Sequence, residues 1–250
     1  MTSTLALGAV HARYNLIETL RIPIAVIGTV VFPALAFLFF VVPNAAGIGP
    51  VGATQAVIAL CVFSLCVGNL FNFGLTIAEN REKAWDPYLR TLPASGAARI
   101  LGHLIATGGL SLVSLVPLLV LGGLLTEATA SPLRLLAGLG AVALSSLPFM
   151  LMGIVIGYSM PMKAAIAVIQ VAFFVLAFGG GLFLPPQMFP GWLDALSMWL
   201  PTRHAREFTI WAVQGGELPL WALGGVVAWA VALAVLALVL HRRDEGRRFR

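Results

Sequence analysis

Residues 76–90 read TIAENREKAWDPYLR and follow a long, largely apolar run over residues 56–75. The chain holds 15 basic and 10 acidic residues in 250, yet Glu79, Arg81, Glu82, Lys83, Asp86 and Arg90 fall within twelve consecutive positions. An apolar run of about 20 residues is long enough to cross a bilayer as a helix. The stretch therefore reads as the edge of a membrane span, where the chain leaves the bilayer and meets water.

Composition agrees. Hydrophobic residues make up 60% of the chain and charged residues 10%, whereas soluble domains carry about 25% charged residues. This is the composition of a membrane protein, and its length divides into several spans within one permease-sized domain, residues 1–250. The first twenty residues, MTSTLALGAVHARYNLIETL, lack a sustained apolar core, so no removable signal peptide is expected. The net charge of +5 reads as a topology signal, and no nucleic-acid partner is expected. Cys61 and Cys66 lie roughly 140° apart on a helix, too far round it for a disulfide.

Apolar runs bounded by charge, Gly or Pro mark six candidate transmembrane helices, at about 22–42, 56–78, 100–124, 134–157, 165–184 and 218–240. Pro33, Pro117 and Pro148 fall inside spans, where neighbouring helices can satisfy the freed carbonyls. With the N-terminus inside, twelve basic residues lie on cytoplasmic segments and only Arg134, Arg203 and Arg206 on outer ones. This positive-inside bias places both termini, and the charged stretch between spans two and three, in the cytoplasm. Residues 4–20 put Leu7, Val10, Tyr14 and Ile17 on one helical face and His11, Asn15 and Glu18 on another. That pattern suits an amphipathic helix at the inner membrane interface.

The charged stretch is more than a stop-transfer signal. It balances three positive against three negative charges over 79–90, where topology needs only basic residues. Trp85, Tyr88, Leu89 and Leu92 form an apolar set at helical spacing. Asp86-Pro87 reads as an N-cap with Pro at the first helical position, and Pro93 ends the short helix. Aromatic and ionic groups together on a displayed helix suit a docking surface for a protein partner.

A second punctuated stretch reads Gly181-Leu-Phe-Leu-Pro185, then Pro190-Gly-Trp192 and Pro201-Thr-Arg-His-Ala-Arg206. Gly179, Gly180, Gly181 and the prolines break span five near its outer end. Residues 191–200 and 202–213 then read as short helices, with Leu193, Leu196, Trp199 and Leu200 on an apolar face. Segments of that length cannot cross the bilayer, so they read as a re-entrant pair in the outer leaflet.

Both stretches resemble the membrane permease subunits of type-2 ABC exporters. The family carries an acidic-Arg-Glu run after span two and a short helix ending in Leu-x-x-x-Pro, matched here by Glu79, Arg81, Glu82, Leu89 and Pro93. The Gly181, Pro185, Pro190 and Pro201 spacing, with Trp192 between, resembles its signature before span six. The resemblance implies an all-α polytopic fold in the bacterial inner membrane, with a cytoplasmic coupling helix seated in a groove of an ATP-hydrolysing subunit. Glu79, Arg81, Glu82, Trp85, Tyr88 and Leu89 would carry that coupling. It further implies two permease copies, alike or different, with two ATP-binding subunits that bind ATP and Mg. The chain departs from the family at Ala84-Trp85, where Gly-Thr is usual, and at Pro87.

No catalytic or metal site is expected in the chain itself. A P-loop needs Gly-x-x-x-x-Gly-Lys-Ser/Thr, and neither Lys83 nor Lys163 stands in that context. There is no His-Glu-x-x-His or Gly-x-Ser-x-Gly, and the four histidines stand singly near span ends. Span interiors hold no ionisable group of the kind an ion-driven carrier uses, so transport would be powered from outside the chain. Ser64, Gly68, Asn72 and Thr76 form a row on span two beside Asn69, suited either to helix packing or to a substrate path. Gln170, Phe174 and Phe178 share one face of span five, an amide among aromatics that suits amphipathic cargo. In the resembling family, spans two and five border the cleft between permease copies. Gly153-x-x-x-Gly157 reads as a packing contact. The cargo expected is a drug or lipid-like compound. A lipid-linked glycan, or a non-transporting scaffold, are the alternatives.

Overall fold

The longest apolar run folds as the longest helix. A computed structural model describes residues 10–14, 16–17, 21, 31, 33–83 and 96–247, and no strand occurs among them. In chain order the helices are α1 (Pro33–Asn44), α2 (Ala45–Glu82), α3 (Gly96–Val113), α4 (Leu115–Leu125), α5 (Pro132–Ser159), α6 (Met162–Gly179), α7 (Gly191–Ser197), α8 (Pro201–Gln214) and α9 (Leu220–Arg247). Five stretches among the described residues are long and apolar enough to cross a membrane: Gly47–Glu82, Ile105–Leu125, Pro132–Ser159, Met162–Gly179 and Leu220–Asp244. They match the second to sixth expected spans. The first expected span lies partly outside the described residues; α1 covers its second half and includes a π-helical turn, Phe37–Val41. Of the expected interfacial helix, residues 10–14 and 16–17 are helical, with Val10 and Tyr14 exposed and Ala12 buried.

Boundaries differ from the sequence reading for identifiable reasons. α2 continues through Glu82, so Glu79, Arg81 and Glu82 stand on its last turns and not in a loop. Span three breaks at Ser114 between α3 and α4, because Pro117 has no N–H to offer the Val113 carbonyl. Span five ends at Gly179, five residues early. There Leu182 N–H reaches Ala177 O at 3.0 Å and Gly181 N–H reaches Phe178 O at 3.5 Å. With Gly181 at φ 78°, these bonds make a Schellman stop, which glycine enters without steric penalty.

α2 is the hub, packed against α1, α3, α4, α5, α6 and α8. Its tightest crossing is with α5. A Cβ on Gly153 would lie 2.9 Å from Asn69 O and 3.0 Å from Phe73 Cβ; one on Gly157 would lie 2.8 Å from both Gly74 O and Ile77 Cβ. In a bilayer, lipid tails are as apolar as Leu, so helices hold together by close approach at small residues. The Gly153-x-x-x-Gly157 reading is borne out in this geometry. α9 lies on α5 and α8 at the edge of the bundle, with Val227, Val231, Val235 and Leu238 facing outward.

The two ends of the bundle each carry polar ties. At one end, Thr129 N–H bonds Thr54 Oγ1 at 3.1 Å, Gln55 Nε2 bonds Gln214 Oε1 at 3.2 Å and Gln214 Nε2 bonds Val51 O at 3.0 Å. Ser131 caps α5 there, accepting from Arg134 N–H, with Pro132 at the first helical position. At the other end meet residues 81–82, 157–162 and 244. The segments read as outer and as cytoplasmic thus gather at opposite ends.

Glycine packing gives a direct stability test. Gly153→Val and Gly157→Val should each lower the melting temperature of the detergent-purified chain by several degrees, overpacking costing about 1–3 kcal/mol. Gly140→Ala, with nothing within 4 Å of its added Cβ, should leave it unchanged. Equal melting temperatures across all three would remove the close crossing as the basis of the bundle.

Candidate functional site

Arg81 and Glu82, of the expected coupling set, stand on the last turn of α2. Arg81 donates through Nη1 to Gly157 O at 2.9 Å, and through Nη2 and Nε to Asp244 Oδ1 at 2.9 and 3.1 Å. Asp244 is 7% exposed and Arg81 23%, so the pair is shielded enough for charge-assisted bonds of about 1.5–3 kcal/mol. The guanidinium also lies 5.9 Å from the Tyr158 ring centroid, and Tyr158 Oη is 3.1 Å from His241 Nδ1. Glu82 Oε1 accepts the Met162 N–H at 2.8 Å. Glu79 pairs with Lys83 at 3.0 Å on the exposed side of the same turn. Of the expected coupling set, Arg81 and Glu82 bond within the chain. Trp85, Tyr88 and Leu89 lie outside the described residues.

Gln170, Phe174 and Phe178 share an exposed face of α6. Phe174 and Phe178 stack at 6.3 Å between centroids, and Phe173 stacks on Phe174 at 4.2 Å. Phe178 touches Phe183, which meets Phe63 at 4.8 Å and Phe40 at 5.3 Å. The ring ladder therefore runs from the outer face of α6 into the core. Asn69 is in a different environment. It is fully buried, accepts from Ser111 Oγ at 3.2 Å, and its Nδ2 has no hydrogen-bond partner among the described residues. Asn72 is half-buried. The path expectation thus divides: the α6 residues are open to the outside of this chain, and Asn69 faces α3 within it.

The stretch after Gly181 forms two short helices, Gly191–Ser197 and Pro201–Gln214, the first ending three residues before the expected 200. Pro185 precedes a short turn at Pro186–Met188, Pro190 stands just before α7, and Pro201 opens α8. Thr202 Oγ1 bonds Leu176 O at 2.7 Å, and Gly180 leaves room for it, so α8 starts directly on the end of α6. Val213 packs on Gly138, and Phe208 and Ala212 join Ala141 and Ala222. Ala141 lies about 14 Å along α5 from its start. Arg206 is buried and paired with Glu207, while Arg203 spans Asp194 and Glu207 at 3.5 and 3.3 Å. Burial pushes the His204 imidazole below its ordinary value, outweighing a backbone bond at Met198. Trp192, Leu196 and Trp199 face outward.

Sequence reading missed Asp244, Tyr158, His241 and Gln214 as partners of these segments. No local pattern marks them, because Arg81 and Asp244 are 163 positions apart. The family comparison is independent of this geometry. The chain is 23% identical over 190 residues to the "Putative transport permease YvfS" of Bacillus subtilis (strain 168), covering 75% of this chain and 77% of that protein. The model of the ABC-2 type transporter family matches residues 9–213. Five bilayer-length apolar stretches among the described residues accord with that match, and the chain belongs to the ABC-2 type transporter family of membrane permeases.

Proposed function

We propose that this chain is the permease subunit of an ATP-driven exporter of a hydrophobic or amphipathic compound. Two permease copies work with two copies of a separate ATP-binding subunit, which holds ATP and Mg. The protein lies in the bacterial inner membrane with six spans and both termini in the cytoplasm. Family membership carries the transport reading. The exposed Phe174–Phe178 stack beside Gln170 favours an amphipathic cargo over a highly polar glycan, because aromatic faces bind apolar surface and one amide orients it. The packing of α8 along the first turns of α5 supports the re-entrant reading of the hairpin.

The decisive experiment is reconstitution of the chain in vesicles with a P-loop ATPase, sought first in the neighbouring reading frames. ATP-dependent movement of a lipophilic dye supports export. Movement of a lipid-linked oligosaccharide alone would select the glycan reading, and an ATPase that binds without any transport would select the scaffold.

Topology is tested by cysteine labelling in a Cys61→Ala, Cys66→Ala background. Ser131→Cys should react from outside intact cells, and Ser95→Cys only after the membrane is opened. External reaction at Ser95→Cys would place the charged segment on the wrong side for an ATPase.

The cargo face predicts that Gln170→Ala and Phe174→Ala reduce cargo-stimulated hydrolysis while assembly and basal hydrolysis hold, each loss worth about 1–3 kcal/mol of cargo affinity. Stimulation curves that superimpose on the parent would make these residues lipid-facing only. For the coupling helix, Trp85→Ala should insert normally and copurify poorly with the ATPase. Full recovery of the complex would remove Trp85 from the docking surface.

A further inference from the structure

The turn between α5 and α6, residues 160–161, joins two helix ends that carry no complementary charge of their own. α5 has no basic residue in its last turn, and α6 has no acidic residue in its first. α6 begins after Pro161, whose side chain cannot cap, and carries Lys163 against the positive end of its dipole. The missing groups come from two adjacent residues at the end of α2. Arg81 donates to Gly157 O, one of the last four carbonyls of α5, which have no partner within their helix. Glu82 accepts from Met162 N–H, the first amide of α6. Each charge also complements the dipole of the helix it touches. Asp244 holds the Arg81 guanidinium from the far side, so α9 joins the same knot.

We propose that Arg81 and Glu82 are a clasp on the α5–α6 turn, so that α6 moves with the root of the charged segment. They are then positioning residues, not contacts of the ATP-binding subunit. The consequence for transport rests on the reading above: a push on residues 84–95 reaches the Gln170, Phe174 and Phe178 face through Glu82 and Met162. The clasp itself stands on the geometry alone.

Met162→Pro supplies the test from the opposite side. It removes the N–H that Glu82 engages, at a first helical position that tolerates proline, and it leaves the charged segment untouched. Pro161 already has the extended backbone, ψ 160°, that a following proline requires. Spin labels on Asn80→Cys and Lys163→Cys, in a Cys61→Ala, Cys66→Ala full-length chain in nanodiscs, report the distance across the clasp. The parent should give one narrow distance. Glu82→Ala and Met162→Pro should each broaden it, the double variant no further than either, and Met162→Leu not at all.

With the ATPase present, cargo moved per ATP should fall about fivefold in Glu82→Ala and in Met162→Pro, the scale of one capping interaction. Met162→Leu should match the parent, and copurification should hold throughout. Unchanged distances in both single variants would overturn the clasp. So would loss of copurification in Glu82→Ala with parental behaviour in Met162→Pro, which would assign Glu82 to the partner's surface. Failure of any ATPase to associate with the parent chain would reject the transport reading, and the distance measurement would still decide the clasp.

Discussion

The close crossing of α2 and α5 is the constraint on which the bundle depends. Gly74, Gly153 and Gly157 bring two backbones within reach of each other, and a single Cβ at Gly153 or Gly157 would collide with main-chain atoms. A collision with backbone is harder to relieve than one with a flexible side chain. Because lipid provides no hydrophobic drive between helices, this contact supplies the dispersion energy that water would otherwise enforce. α2 then becomes the surface on which α3, α4, α6 and α8 assemble.

Polar groups are confined largely to the two ends, as a bilayer demands. At one end, Thr54, Gln55 and Gln214 tie α2 to the loop before α5 and to α8. At the other, Arg81, Glu82 and Asp244 tie α2 to α5, α6 and α9. Between them the middle is nearly apolar, with the Asn69–Ser111 pair a buried exception.

Much of this was legible in advance, and the reasons are local. Bilayer length marks the second to sixth spans, because each must satisfy its own backbone over about 20 residues. Gly181 and the prolines mark the hairpin, because a Schellman stop and a helix start each require their residue types. Exact ends were less legible. α2 carries its helix through Glu79 and Glu82, since charged residues are good helix formers once past the lipid. The break at Ser114 follows from Pro117, yet Pro148 leaves α5 continuous, so a proline alone does not say whether its neighbours repair the helix.

The sequence by itself determined an all-helical membrane protein, its second to sixth apolar stretches, the charged run and the break after Gly179. These follow from composition and from periodicities a few residues long. Only the tertiary structure decided what the charges of that segment touch. Glu79 pairs with Lys83 four residues on, which sequence spacing can suggest. Arg81 and Glu82 instead reach Gly157, Asp244 and Met162, between 76 and 163 positions away. Two of those three partners are backbone groups at helix ends. A backbone carbonyl or amide has no residue type to betray it, so its need for a partner appears only when the helices that end there are packed together.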